Sequence, residues 1–360
     1  MRHVLIVLAL AGLAVQATAQ TVRLVEVKRT ALVNTTPGNT WFIGRNVSSV
    51  AWDGTDAYVG GLSFDTSGSA IAKVTPQVGT TNGLYQLAGS FGFQATVATR
   101  GIQDIAYRAD GRLGVATDFG SGNTNTLRAF SDGGALVSTS TISARANGVH
   151  FDPIDNRLTS LSLGSGRVIK VNDDGTTYND GTKNWDTTTG PIIFLTDSTH
   201  RDLTMDGAGN LVFRRQNAVH SADFNAGGNN YINIVQELPS NSTNVNGQNI
   251  EFINAGINFN AFSMFSDRRV TAAGQNWTDI VKGYDTAGNA AVTLDYQWLG
   301  ALGAPATGNG YYDFSYHAPS GTLAVTDFIN NNVHIFQVVP TPGALSLAGL
   351  AGLVALRRRR

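Results

Sequence analysis

Six short triplets recur along this chain, each with a large apolar or aromatic residue first and third. They are Val50-Ala51-Trp52, Ile105-Ala106-Tyr107, Val149-His150-Phe151, Leu203-Thr204-Met205, Ile250-Glu251-Phe252 and Phe314-Ser315-Tyr316, at steps of 44 to 64 residues. A turn follows each triplet: Asp53-Gly54-Thr55, Ala109-Asp110-Gly111, Pro153 to Asn156, Gly207 to Asn210, Asn254-Ala255-Gly256 and Pro319-Ser320-Gly321. These turns are rich in residues that start a reversal or accept positive φ. Returning strands follow, such as AYVGGL, RLGVATD and TLAVTD. The stretch from Tyr311 to Val338 carries the unit most completely, with three short strands and two turns.

A period near fifty residues, filled by short strands, is the signature of propeller blades. One small sheet cannot cover both of its faces, whereas a ring of sheets can, and it leaves only short edges. The expectation is therefore an all-β chain folded as a β-propeller. The triplets count six blades, and residues 260–300 leave room for a seventh. A β-sandwich, or a pair of them, is the rival architecture. Alternation puts the first and third triplet residues on one sheet face and the middle residue on the other. The strand-like Thr21–Val33 has no partner nearby, and the last unit supplies only three strands. The N-terminal strand is therefore expected to complete the last blade and close the ring.

Only 14% of the 360 residues are charged and 41 are Gly, which suits many short strands and tight turns rather than long amphipathic helices. There is no Cys. Disulfides and thiolate chemistry are excluded, and stability must come from burial.

The two ends read as targeting segments. Arg2 and His3 precede the apolar run VLIVLALAGLAV, and Ala17-Thr18-Ala19 supplies an A-x-A cleavage site, the three-part pattern of an export signal. At the other end Val339-Pro340-Thr341-Pro342-Gly343 leads into ALSLAGLAGLVAL and then Arg357, Arg358, Arg359 and Arg360. A rigid Pro-x-Pro, an apolar run and a terminal Arg cluster resemble the PEP-CTERM sorting tails of bacteria. The resemblance covers about the last twenty residues, and Thr341 stands where the family usually has Glu. It implies a partner, an exosortase-type processing enzyme, that recognises the motif Pro340, Thr341, Pro342 and Gly343. It also implies transient anchoring in the inner membrane, with the arginines as the cytoplasmic stop, and then release toward the cell surface or extracellular matrix. The apolar run Ala344–Leu356 is short for a membrane span: as a helix it reaches roughly 20 Å against a hydrocarbon core of about 30 Å. A brief anchor of that kind suits a removable signal.

The expected organisation is an export signal over residues 1–19, a propeller over 20–338 and a sorting tail over 339–360. Loss of Arg2 and the four terminal arginines would leave 20 basic against 26 acidic residues, a net charge of −6. That balance argues against nucleic acid as a partner, because phosphate binding needs a basic face.

Ser49, Asp104, Gly148, Asp202, Asn249 and Asp313 each stand just before a triplet. If the triplets are innermost strands, these positions meet at one end of the central channel. Asp104, Asp202, Asn249 and Asp313 are the metal-site candidates, since Ca²⁺ takes several oxygen ligands. The competing reading is structural, with Asp and Asn bonding nearby backbone amides; the cofactor expectation is accordingly none, or Ca²⁺. His150 and Glu251 hold equivalent middle positions and would face the same channel, two blades apart. Asn172 to Thr182 reads as a hairpin tip without the ligand pattern of an EF-hand. Trp41, Trp185, Trp277 and Trp298 sit in or near loops, where they could stack on sugar rings or pack at blade edges.

No G-x-S-x-G, phosphate-loop or H-E-x-x-H motif occurs, so no catalytic residue is assigned. The functional expectation is a non-enzymatic surface or matrix propeller that binds a polysaccharide or surface protein through the loops of one face. The alternative is a metal-dependent extracellular lyase or hydrolase with its site at the channel.

Overall fold

The triplets alternate large residues with a middle residue that is small or polar, and each becomes part of a strand whose two faces bury different partners. The computed structural model describes residues 21–32, 46–62, 69–77, 80–83, 92–93, 101–118, 125–142, 145–163, 165–193, 200–215, 218–236, 249–254, 262–266, 281–285, 290–300, 313–327 and 331–340. Among them every regular element is a β-strand, and no helix is long and apolar enough to cross a membrane. The expected signal helix and anchor helix lie outside the described residues.

The chain opens with β1 (Thr21–Leu32). Repeat one holds β2 (Asn46–Trp52), β3 (Ala57–Leu62) and β5 (Ala72–Val74). Three short strands lie beside it: β4 (Ser69–Ala70) pairs with β7 (Gly92–Phe93), and β6 (Thr80–Gly83) runs parallel to β1. Repeat two is a four-stranded meander of β8 (Gly101–Arg108), β9 (Arg112–Asp118), β10 (Asn125–Ser131) and β11 (Leu136–Ile142). Repeat three has β12 (Arg145–Phe151), β13 (Leu158–Leu163) and β14 (Val168–Val171). Repeat four has β15 (His200–Met205), β16 (Leu211–Arg215), β17 (Ala218–Asn225) and β18 (Asn230–Gln236). Repeat five has β19 (Ile250–Ile253), β20 (Phe262–Ser266), β21 (Val281–Asp285) and β22 (Ala290–Gln297). Repeat six has β23 (Phe314–His317), β24 (Thr322–Asp327) and β25 (Asn332–Pro340).

The inner strands β2, β8, β12, β15, β19 and β23 follow one another around a closed circle, with β23 returning to β2. This is a β-propeller. Its closure uses the chain's beginning: β1 lies antiparallel beside β25, from Val22 opposite Pro340 to Ala31 opposite Asn332. The same strand also runs parallel to β22, with Thr21 opposite Thr293. Repeats five and six are thereby fused into one nine-stranded sheet. Counted by separate sheets of three or more strands the ring therefore has five members, against the six or seven blades expected. The difference arises at β1, which bonds to two neighbours at once.

Packing follows the alternation. Val50 and Trp52 of repeat one meet Ala324, Val333 and Ile335 of repeat six. On the opposite face Ala51 meets Ile105 of repeat two, and Ala106 in turn meets Val149 and Phe151 of repeat three. A large residue thus faces the preceding repeat and finds a small one there, which lets the sheets approach closely without voids. Leu203 and Met205 against Leu161 and Val168, and Phe314 against Ile253 and Val292, also face the preceding repeat, but there the partners are large. Where a turn comes close, Gly is required. Gly54 has φ +93°, and a Cβ there would lie 2.5 Å from Nδ1 of His317, so both conformation and space exclude a side chain.

Candidate functional site

The innermost strand of each repeat has one edge with no strand beside it, and the amides on that edge need acceptors. The residue before the triplet lies on the same face as the middle residue, and both point toward the following repeat. Asp104 therefore reaches repeat three, where its Oδ2 accepts the amide of Val149 at 2.6 Å. Asp202 accepts the amide of Ile250 at 2.8 Å, and Asp313 accepts that of Val50 at 2.5 Å. The second oxygens are also engaged: Asp104 with the amide of Ile105, Asp202 with that of Leu203, and Asp313 with Nδ2 of Asn249 at 2.8 Å. The middle positions repeat the device one step along. Thr204 accepts from the amide of Phe252, Ser315 from that of Trp52, and Glu251 from that of Tyr316, at 3.0 to 3.2 Å.

The structure thus brings Asp104, Asp202, Asn249 and Asp313 to one end of the channel, each of them buried. Their hydrogen bonds tie neighbouring repeats together and engage both oxygens of each carboxylate. Among the described residues no group of three or more His, Asp or Glu side chains is placed to hold a metal. Burial pushes the Asp104 carboxyl up to about 6, against which the Val149 and Ile105 amides act. Burial also raises Asp202 well above the usual carboxylate range, with Asp104 and Asp313 adding repulsion. Asp313 is raised by burial and by Asp104. Buried carboxyls facing one another retain protons rather than concentrate charge. Gly148 makes room for this tier, since a Cβ there would lie 2.7 Å from Cα of Asp202.

Above the tier lies a cavity of about 200 Å³. Asp104, Asp202 and Asp313 form its floor, His150 and Glu251 belong to its wall, and the triplet ends form its mouth. From Asp104 to Tyr107 the strand rises about 10 Å, which sets the depth. His150 and Glu251 are half-buried and lie two repeats apart. Burial lowers His150 to about 4, so the ring is neutral near pH 7. Burial, opposed by the Tyr316 amide and aided by Asp104, raises Glu251 to about 8. Both polar walls are therefore uncharged at neutral pH.

The mouth is aromatic, formed by the part-exposed Tyr107, Tyr316 and His317, with the buried Trp52 behind them. Each ring is held. Trp52 Nε1 donates to Thr322 Oγ1 at 2.8 Å, and Tyr316 OH donates to the Asn254 carbonyl at 3.3 Å. Tyr107 stacks on Tyr58 with ring centroids 5.9 Å apart, and His317 shares a 2.7 Å hydrogen bond with Ser320. Among the described residues no Lys or Arg lines the cavity. Sequence reasoning placed Trp52, Tyr107 and Tyr316 on one sheet face and gave them no part in a site. The available signal was that the polar-tipped ones, Tyr316, Trp52 and Tyr107, end the triplets of three consecutive repeats around the ring.

Of the two uses open to the loop tryptophans, Trp185 and Trp298 take packing. Trp185 is fully buried, its Nε1 bonded to Asp180 at 2.9 Å and its ring edge-on to Tyr231. The turn-rich segment after Asn172 folds back to cover the repeat-four sheet with that indole. Trp298 packs on the core of repeats five and six, stacked on Tyr296 and beneath Arg29. Trp41 and Trp277 lie outside the described residues, as do Ala17, Ala19, Thr341, Pro342, Gly343 and Arg357 to Arg360. Pro340 ends β25.

No family model matches the chain, and no curated protein does. Solved structures match in fold. An auxiliary nutrient binding protein from Bacteroides thetaiotaomicron is 10% identical with a TM-score of 0.55, over 87% of this chain and 76% of that one. A second auxiliary nutrient binding protein, from Bacteroides ovatus, is 12% identical with a TM-score of 0.54, over 88% and 78%. A putative phosphatase from Bacteroides thetaiotaomicron is 14% identical with a TM-score of 0.52, over 89% and 80%. Their names differ while their folds agree, so the likeness carries the architecture and leaves the ligand to the site.

Proposed function

We propose that this chain is an exported binding module of the cell surface or extracellular matrix, which takes a carbohydrate at the aromatic mouth of its central channel. The observation that carries this reading is the cavity itself: immobilised aromatic faces at the rim and neutral hydrogen-bonding groups within. Sugar rings offer apolar faces for stacking and hydroxyls for polar groups, and this lining supplies partners for both. The name nutrient binding carried by two structural neighbours agrees with a binding role. Delivery would run through the export signal, a transient inner-membrane anchor and an exosortase-type enzyme acting at the Pro340–Gly343 motif.

The test is titration calorimetry of the mature chain against a panel of soluble oligosaccharides, with product analysis of each mixture. Binding with the sugar recovered intact supports the module; no heat with any sugar overturns it, and release of a product would make the chain an enzyme instead. Alanine at Tyr316 should weaken binding about tenfold or more if the rim stacks on the ligand.

A further inference from the structure

We infer that the cavity continues into a lateral groove over repeats two and three, so that the site takes the free end of an unbranched, neutral or amino-sugar chain. The inference rests on the carbohydrate reading above and adds the form of the ligand. Beside the mouth lies a groove of about 580 Å³, nearly three times the cavity. Ala109 walls both spaces. It sits in the β8–β9 turn, closed by the hydrogen bond from the Gly111 amide to the Arg108 carbonyl at 2.9 Å. Successive strand residues face opposite ways. Tyr107 therefore belongs to the cavity and Arg108 to the groove, with Ala109 as a low lip between them.

The groove is polar and its charges are compensated. Arg108 holds Asp110 at 2.8 Å and Asp173 at 2.9 Å, and donates to the Asn156 carbonyl at 2.5 Å. Arg157 lies over the Tyr178 ring at 3.8 Å, with Nε bonded to Asn172 at 2.9 Å and a terminal nitrogen 3.1 Å from Asp155. Such a surface offers forked donors and acceptors to hydroxyls but no unbalanced positive charge. The cavity is stricter. Among the described residues it has carboxyls and no basic residue other than His, so an anionic terminal sugar would give up its hydration there and find no counter-charge. The buried carboxyls Asp104, Asp202 and Asp313 line the inner part of the cavity, so a chain is expected to enter it by an end.

Titration of the mature chain with glucose, galactose and mannose, with their unbranched oligomers, with partly deacetylated chito-oligomers, with oligogalacturonates and with a cyclic glucan tests this. Affinity is expected to climb about tenfold or more with length and level off near about four units. The cyclic glucan and the acidic oligomers are expected to bind about tenfold more weakly than the best neutral chain. In Ala109→Trp and in Asp173→Ala the ratio of tetramer to monomer affinity should fall toward one; a melting curve shows that each variant folds. An intact length gain in both variants, or a cyclic or acidic oligomer that binds as tightly as the linear neutral one, overturns the inference while leaving carbohydrate binding in place. Silence across the whole panel overturns both.

Discussion

Two sets of buried carboxylates hold this ring together, and the protein treats them in opposite ways. At the axis, Asp104, Asp202 and Asp313 accept backbone amides and lie near one another, and burial raises all three above the usual carboxylate range. At the closing seam, Glu26 of β1 is as deeply buried, at 3% exposure, yet its carboxyl is held down to about 2. Burial alone would raise it. The hydrogen bond to His334 at 2.7 Å, those from Arg29 at 2.6 and 2.7 Å, and the Leu299 amide outweigh that cost. A buried carboxyl surrounded by amides and other carboxyls acts as a neutral hydrogen-bonding group. One given two cationic or ring partners stays an anion. The axis thus avoids charge, which suits a cavity for uncharged ligands, while the seam uses charge to fasten chain segments more than 300 residues apart.

The largest effect that separates the two comes from removing Glu26. Glu26→Ala leaves Arg29 buried without its carboxylate and should cost roughly 3–5 kcal/mol in denaturant unfolding. Asp202→Asn keeps one of the two acceptor oxygens and leaves the other amide without its acceptor, so it should cost about 1–3 kcal/mol, less than the loss of Glu26. Equal losses in the two variants would erase the distinction between a neutral axis and a charged seam.

The same contrast explains what was legible in the sequence. The axial carboxyls were visible because they recur: each stands just before a triplet, and β2, β8, β12, β15, β19 and β23 do contain those triplets. The return strands AYVGGL, RLGVATD and TLAVTD also match β3, β9 and β24 residue for residue. Closure by the first strand followed from counting unpaired strands, a topological argument needing no side-chain detail. The seam had no repeat to reveal it. Glu26 and Arg29 are three apart, which in a regular strand puts them on opposite faces. A bulge between Glu26 and Lys28 resets the register and brings them together. The parallel pairing of β1 with β22 was hidden for a related reason: it depends on where two distant strands meet in space, not on either one's pattern. The aromatic mouth was half legible, since Tyr107 and Tyr316 were found as triplet ends but given no part in a site.

A smaller effect sharpens the axial half. Gly148→Ala places a Cβ against Cα and Oδ1 of Asp202, and the backbone of one repeat or the other must give. The cost should be about 1–3 kcal/mol by the overpacking rule. If melting curves show no change, the axial tier is looser than its hydrogen bonds indicate, and the tight stitching of neighbouring repeats fails as an explanation of these carboxyls.

The effect that tests both halves at once is the slope of stability with pH. Glu26 has a folded value of about 2 against 4.5 for the free group. Its contribution is therefore complete above about pH 5 and is lost as pH falls toward 2. Asp104, at about 6 against 3.8, and Glu251, at about 8 against 4.5, act in the opposite sense. Between each pair of values the folded state keeps a proton that the unfolded chain has released, so stability declines as pH rises from about 4 toward 8. Urea midpoints measured from pH 3 to 9 should then form an arch with its crest on the acid side of neutrality. Glu251→Gln should flatten the alkaline limb and leave the acid limb, because an amide at that position titrates in neither state. A variant arch with an unchanged alkaline limb would place an ionised Glu251 in the wall of the cavity, and the case for an uncharged ligand would lose its main support.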